Sequence, residues 1–218
     1  MTLFVNEIFR SLQGEAHTVG WPTIFIRLSG CNLRCLYCDS VHAWEEGEEL
    51  DIGSIRTRVR SFGPAKQNHV LITGGEPLLR KEAALELASA LIKEGYETSM
   101  ETNGSFLVNE LPEKLIAVID VKTPGSGMSG VMNHENFRAA RRRHDVFKFV
   151  IASREDIGWT FDMIERHRLE HRYDIYLSST LAEVPAHELA EIILASGKRV
   201  RLNVQLHKVL WGPDIRGR

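Results

Sequence analysis

The chain has 218 residues, of which 43% are hydrophobic and 26% charged, and its formal net charge is -2. That length supports one sizeable hydrophobic core, so residues 1–218 are expected to form a single domain. The near-neutral balance excludes a global field for nucleic acid or an anionic membrane, and any partner must be argued from local groups.

The N-terminal stretch MTLFVNEIFRSLQGE carries Glu7 and lacks a basic start followed by a long apolar core, which argues against a secretory signal. No apolar run approaches the ~18 residues needed to span a bilayer. A cytoplasmic location with reduced thiols follows as the expectation. The first buried strand is predicted over TIFIRL (23 to 28), and directly after it SGCNLRCLYCDS (29 to 40) holds every cysteine of the chain. Further strands are predicted over HVLIT (69 to 73), ETSMET (97 to 102), LIAVIDV (115 to 121), FKFVIA (147 to 152), DIYLSS (174 to 179) and VRLNVQ (200 to 205). Helical periodicity marks 81 to 95, ending at Gly95, then 159 to 172 and 185 to 197. Strands alternating with helices imply a mainly parallel α/β sheet. The one clear loop is TPGSGMSGV (123 to 131), and the run RAARRRH (138 to 144) supplies Arg138, Arg141, Arg142 and Arg143 as a charged helix face.

Polar groups follow the ends of successive strands. These are the cysteines, then Thr73 to Pro77, Glu101 to Gly104, Asp120 with Lys122, Ser178 with Ser179, and Gln205 with His207. In parallel sheets and barrels such ends share one face, so these groups are expected to converge as an enzyme site.

Cys31, Cys35 and Cys38 have the spacing C-x3-C-x2-C. A zinc site would need a fourth ligand, for which His42 stands four residues after Cys38. A redox pair of Cys35 and Cys38 would leave Cys31 idle. A 4Fe-4S cluster held by three thiolates would leave one iron open to a small molecule.

C-x3-C-x-aromatic-C, with Tyr37 as the aromatic, together with TGGEP (73 to 77), resembles the signature of the radical S-adenosylmethionine superfamily. The resemblance implies that the open iron takes the methionyl group of S-adenosylmethionine and that the reduced cluster cleaves it. EIFRSLQGE (7 to 15), FIRLSGCNLRCLYCDS (25 to 40), ITGGEP (72 to 77), METNG (100 to 104) and QLHKVLWG (205 to 212) narrow the likeness to the 7-carboxy-7-deazaguanine synthase family. That family implies a partial, shortened (βα) TIM-like barrel of the radical type with its cluster-binding loop after the first strand. It also implies magnesium, a homodimer, a 6-carboxytetrahydropterin substrate and an electron donor such as flavodoxin, with no direct contact to nucleic acid or membrane.

Residue by residue, the resemblance assigns Cys31, Cys35 and Cys38 to the cluster and Ser40 to magnesium. It assigns Tyr37, Cys38, Asp39, Gly75, Glu76, Asp120, Val121, Lys122, Ser178 and Ser179 to S-adenosylmethionine, with Glu76 and its backbone meeting the methionyl ammonium. Substrate contacts fall to Leu12, Gln13, Gly14, Glu15, Arg27, Thr73 and His207, the last also as a proton-transfer group. Arg27 suits a carboxylate because guanidinium offers a planar fork. Ala16 stands where many relatives have glycine, and alanine is expected to resist the positive φ that glycine allows there. Two other functions compete: a radical activase acting on a protein partner, and a zinc-dependent RNA-binding module using the arginine run.

Overall fold

The period-2 alternation of side chains along each strand decides how the chain layers itself. The computed structural model describes residues 1–45, 47–180, 183–212 and 217. Its strands are β1 (Thr2–Leu12), β2 (Pro22–Leu28), β3 (Glu48–Asp51), β4 (His69–Gly74), β5 (Glu97–Thr102), β6 (Ile116–Val121), β7 (Val146–Ile151), β8 (Asp174–Ser179) and β9 (Arg201–Leu202). Its helices are α1 (Ile52–Arg60), α2 (Lys81–Lys93), α3 (Asn136–Ala139), α4 (Arg154–Arg166), α5 (Ala186–Ser196) and α6 (Leu206–Trp211). One sheet runs in the order β3-β1-β2-β4-β5-β6-β7-β8-β9, parallel from β2 through β9 and antiparallel only where β1 meets β2 and β3. The edges β3 and β9 stay apart, so the sheet is an open, partial barrel, as expected. No helix among the described residues is long and apolar enough to cross a membrane.

Alternation gives the sheet two chemically different faces. Ile24, Ile26, Val70, Ile72, Met100, Ile119, Phe147, Phe149, Ile175 and Leu177 form one cluster with Ile55, Val59, Leu87, Leu91, Met163 and Ile164 from the helices. Truncating a side chain such as Leu87, which has no exposed surface, to alanine costs about 2–5 kcal/mol. The residues between them, Arg27, Thr73, Glu101, Asp120, Lys148 and Ser178, project to the inner face, and that face carries the site.

Four expectations are corrected. The cluster loop follows β2, the second strand of the chain, because β1 adds ahead of the parallel series; Asn6, Glu7 and Arg10 interrupt its apolar pattern and hide it from a strand reading. The helix predicted over 159 to 172 spans Arg154–Arg166, because Ser153 and Asp156 form a capping box ahead of it and Arg168, at φ 51, ends it. The strand predicted over 200 to 205 pairs only through Arg201–Leu202, after which the chain turns toward the site. The arginine run is not one helix face: α3 stops at Ala139, and Arg141 is held by Asp145 and by the carbonyls of Pro112, Glu113 and Leu115 at the N-terminal end of β6.

Candidate active site

The end of β4 is sewn onto the start of the cysteine loop. Gly75 N donates to Leu28 O at 2.9 Å, and Glu76 N to Gly30 O at 2.8 Å. A Cβ on Gly74, whose φ is 137°, would strike the Leu28 backbone, and one on Gly75 would strike the Gly30 carbonyl. Both glycines are therefore explained by close backbone approach.

All three cysteines are free and partly exposed. Cys31 Sγ accepts from Leu33 N at 3.4 Å and from Asn103 Nδ2 at 3.8 Å. Burial pushes the Cys31 and Cys35 thiols up, so they become thiolates by binding metal. Among the described residues no three metal-binding side chains share one ion-sized position, and His42 Nε2 lies 3.6 Å from Glu7 Oε1. The Cys3His zinc arrangement is thus not formed. Three soft donors on one loop fit a cluster that places each thiolate on a different iron.

Glu76 is buried and already occupied. Its carboxylate accepts from Leu78 N at 2.8 Å, Thr102 Oγ1 at 2.8 Å and Asn103 N at 2.6 Å, while burial pushes its pKa up to about 7. It clamps β4 to the end of β5 and, through Asn103, to Cys31.

The two terminal motifs meet. Gln13 folds back so that its Oε1 accepts from Gly14 N and Glu15 N, at 2.8 and 3.3 Å, which shapes the loop after Leu12. Leu206 N donates to Gly14 O at 3.0 Å, and a Cβ on Gly14 would collide with the His207 ring. Glu15 accepts from Gln205 Nε2 at 2.6 Å and Lys148 Nζ at 2.9 Å. Burial disfavours the Glu15 charge, but Lys148 and Gln205 outweigh it and hold the carboxyl below its ordinary range. Burial depresses His207 and keeps the imidazole neutral.

Ala16 does adopt a positive φ, 58°, contrary to expectation. Its methyl packs with Val118, Val146 and Tyr176, and its N–H is held by Asn203 Oδ1 at 2.8 Å. Packing and that hydrogen bond offset a left-handed conformation that costs an L-residue about 1–2 kcal/mol.

Arg27 reaches Glu7 Oε1 at 2.7 Å and Ser40 Oγ at 3.2 Å; a register break between Val5 and Glu7 sets Glu7 opposite Arg27. Ser40 Oγ donates to Asp39 Oδ1 at 3.0 Å, so a hydroxyl and a carboxylate, oxygen donors suited to magnesium, stand together. Thr73 Oγ1 lies 3.4 Å from Glu101 Oε2.

On the cofactor side, Asp120 Oδ2 accepts from Lys122 Nζ at 2.5 Å. The Tyr37 hydroxyl is buried without a hydrogen-bond partner, and its pKa is pushed up to about 12 by burial. An orphaned hydroxyl beside Asp120 and Lys122 fits a site made for a polar cofactor. Alternation separates the remaining pairs. Val121 joins the helix-side core, and Ser179 Oγ donates to Val184 O on that side, whereas Ser178 Oγ accepts from Asn203 Nδ2 at 2.7 Å.

The sequence reading missed Lys148. It is 6% exposed, and its ammonium is bonded to Glu15 and Glu101, with Asp120 Oδ1 at 3.2 Å. Its signal was a lysine between Phe147 and Phe149 in an otherwise apolar strand. Asn103 and Asn203, which hold Cys31 and Ala16, were also passed over.

An open parallel barrel with three cysteines after its first parallel strand and a glycine turn sewn to them defines a radical S-adenosylmethionine enzyme, and residues 25–152 match the family model described as the radical SAM superfamily. The chain belongs to the 7-carboxy-7-deazaguanine synthase family within that superfamily. It is 37% identical over 220 residues to the 7-carboxy-7-deazaguanine synthase of Chlorobaculum tepidum, covering 99% of this chain and 97% of that one. It is 34% identical over 226 residues to the synthase of Koribacter versatilis, covering 98% and 99%. The fold matches the crystal structure of QueE from Escherichia coli with a TM-score of 0.75 at 23% identity, over 94% of this chain and 95% of that one.

Proposed function

We propose that residues 1–218 act as one radical domain that contracts the ring of 6-carboxy-5,6,7,8-tetrahydropterin to 7-carboxy-7-deazaguanine with loss of ammonia, in the cytoplasm. The observation that carries this reading is the meeting of Gly14 and Glu15 with Gln205 to His207 on the same inner face as Arg27, Thr73 and the cysteine loop.

Cys31, Cys35 and Cys38 would hold the 4Fe-4S cluster, which with S-adenosylmethionine supplies the radical hydrogen abstraction that side chains alone do not perform. Tyr37, Asp120, Lys122 and the backbone of Gly75 and Glu76 would orient S-adenosylmethionine. Ser40 with Asp39 would hold magnesium, a Lewis acid for a substrate oxygen. Arg27 binds the substrate carboxylate with its guanidinium fork. Glu15 and Thr73 take the polar edge of the ring system. His207, kept neutral by burial, accepts a proton at a ring nitrogen during loss of ammonia.

A homodimer and a reductant such as flavodoxin belong to this reading. The reductant would approach the cysteine loop, where Leu36 is 82% exposed, and not Arg141 to Arg143, which lie at the opposite ends of the strands. The test is anaerobic incubation of the reconstituted enzyme with carboxypterin, S-adenosylmethionine, magnesium and reductant. Deazaguanine product is expected; cofactor cleavage without it overturns the reading.

A further inference from the structure

A lysine buried on the inner face of an interior strand needs a reason, since desolvating an unpaired ammonium is costly. Lys148 sits on β7 between Asp120 of β6 and Tyr176 of β8. Three carboxylates surround it, but not equivalently. Glu15 and Glu101 are bonded to Nζ, whereas Asp120 Oδ1, at 3.2 Å, lacks hydrogen-bond geometry and its other oxygen is taken by Lys122. Asp120 is the strongest charge acting on the ammonium, but the ammonium's hydrogen bonds go to Glu15 and Glu101, one from the N-terminal loop and one from β5.

That pair is touched by Thr73, which bonds Glu101, and by Gln205, which bonds Glu15 next to His207. Two half-buried carboxylates side by side repel, and without a cation the balance of one of them shifts toward the protonated form. An ionised carboxylate accepts N–H groups; a protonated one presents an O–H to the same edge and loses an acceptor. We propose that Lys148 is a positioning residue that keeps Glu15 and Glu101 ionised together, so that both present acceptors to the N–H-rich edge of the pterin.

This rests on the pterin reading of the site. Glu15 is faced by Lys148, Gln205, Asp39 and His207, and Glu101 by Lys148, Asp120, Glu15 and the Thr73 hydroxyl. Lys148 is the only cation bonded to either among the described residues. Burial already lifts the Glu101 carboxyl above its ordinary range even with Lys148 opposing it, so removal of the ammonium shifts the pair further toward protonation.

The test is carboxypterin binding and turnover from pH 6 to 8 in wild type, Lys148→Met, Lys148→Arg and the double variant Lys148→Met with Glu101→Gln. Relative to wild type, Lys148→Met is expected to bind carboxypterin at least tenfold more weakly at pH 6 and to recover as pH rises. Lys148→Arg restores the wild-type pH profile, and the double variant, with no carboxylate pair to repel, loses the acid limb. A Lys148→Met profile parallel to wild type overturns the inference, as does a double variant that keeps the acid limb. If Lys148→Met does not fold, the double variant and Lys148→Arg still decide: an acid limb in the double variant, or one in Lys148→Arg steeper than that of wild type, sinks the proposal. Failure of wild type to bind or convert carboxypterin instead overturns the functional reading, so the two failures are distinguishable.

Discussion

Gly14 and His207 are in such close contact that position 14 has no room for a Cβ: it would meet the imidazole and lie 3.2 Å from the His207 backbone nitrogen. Gly14→Ala is expected to push α6 off the loop and lower kcat/KM for carboxypterin at least tenfold, the order that about 1–3 kcal/mol of overpacking produces. Because the contact lies at the rim of the sheet, the melting temperature should fall by only a few degrees. A variant with normal kinetics would contradict the joint role of the two motifs.

Ser40 and the cysteines should separate cleanly. Ser40→Ala is expected to retain iron, sulfide and the brown absorbance of the cluster while needing more magnesium for half-maximal turnover. Cys35→Ala is expected to lose the cluster. Iron and sulfide analysis with a magnesium titration of product formation measures both.

His69 gives a pH signature. It is 2% exposed, both ring nitrogens lack partners, and burial with His17 alongside brings its pKa down to about 4. A histidine whose folded pKa lies below its unfolded value of about 6.5 contributes stability above that pH and loses it as pH falls toward 4. His69→Leu should therefore flatten the fall in denaturation midpoint between pH 6.5 and 4, measured as the difference from wild type.

Ala16→Gly should change stability little, because relief of about 1 kcal/mol of left-handed strain offsets loss of a buried methyl worth about 0.8 kcal/mol. Ala16→Val combines a β-branched side chain with φ 58° and should destabilise by more than 1 kcal/mol, about the left-handed cost for an L-residue. Urea melts of the two variants test the ranking.

What the sequence displayed well was the short strand-forming runs set between helical segments. DIYLSS matched β8 residue for residue, and ETSMET matched β5. β1 was illegible because Asn6, Glu7 and Arg10 break its apolar pattern, the second of them to meet Arg27. The convergence of strand ends was readable, but which neighbour faces inward was not. Ser178 and Ser179, or Asp120 and Val121, differ only in the parity that strand register imposes. Lys148 was hidden by its company, a cation inside a core-like run, and its three acid partners come from residues 15, 101 and 120. Ala16 was misread because its conformation is held by Asn203, far along the chain.

The bond between Glu15 and Gln205 closes a separation of 190 positions. β1 to β8 carry the cysteine loop and Glu15, but the groups that hold Glu15 and Gly14 from the far side, Gln205 and Leu206, come after them. That joint depends on the rest of the sheet, which brings Glu15 and the segment after β8 together and so shortens the loop left to close. A chain truncated before Gln205 should thus retain a thiol loop able to take up iron yet leave Glu15 without its amide partner, so that cluster loading and substrate binding are lost separately.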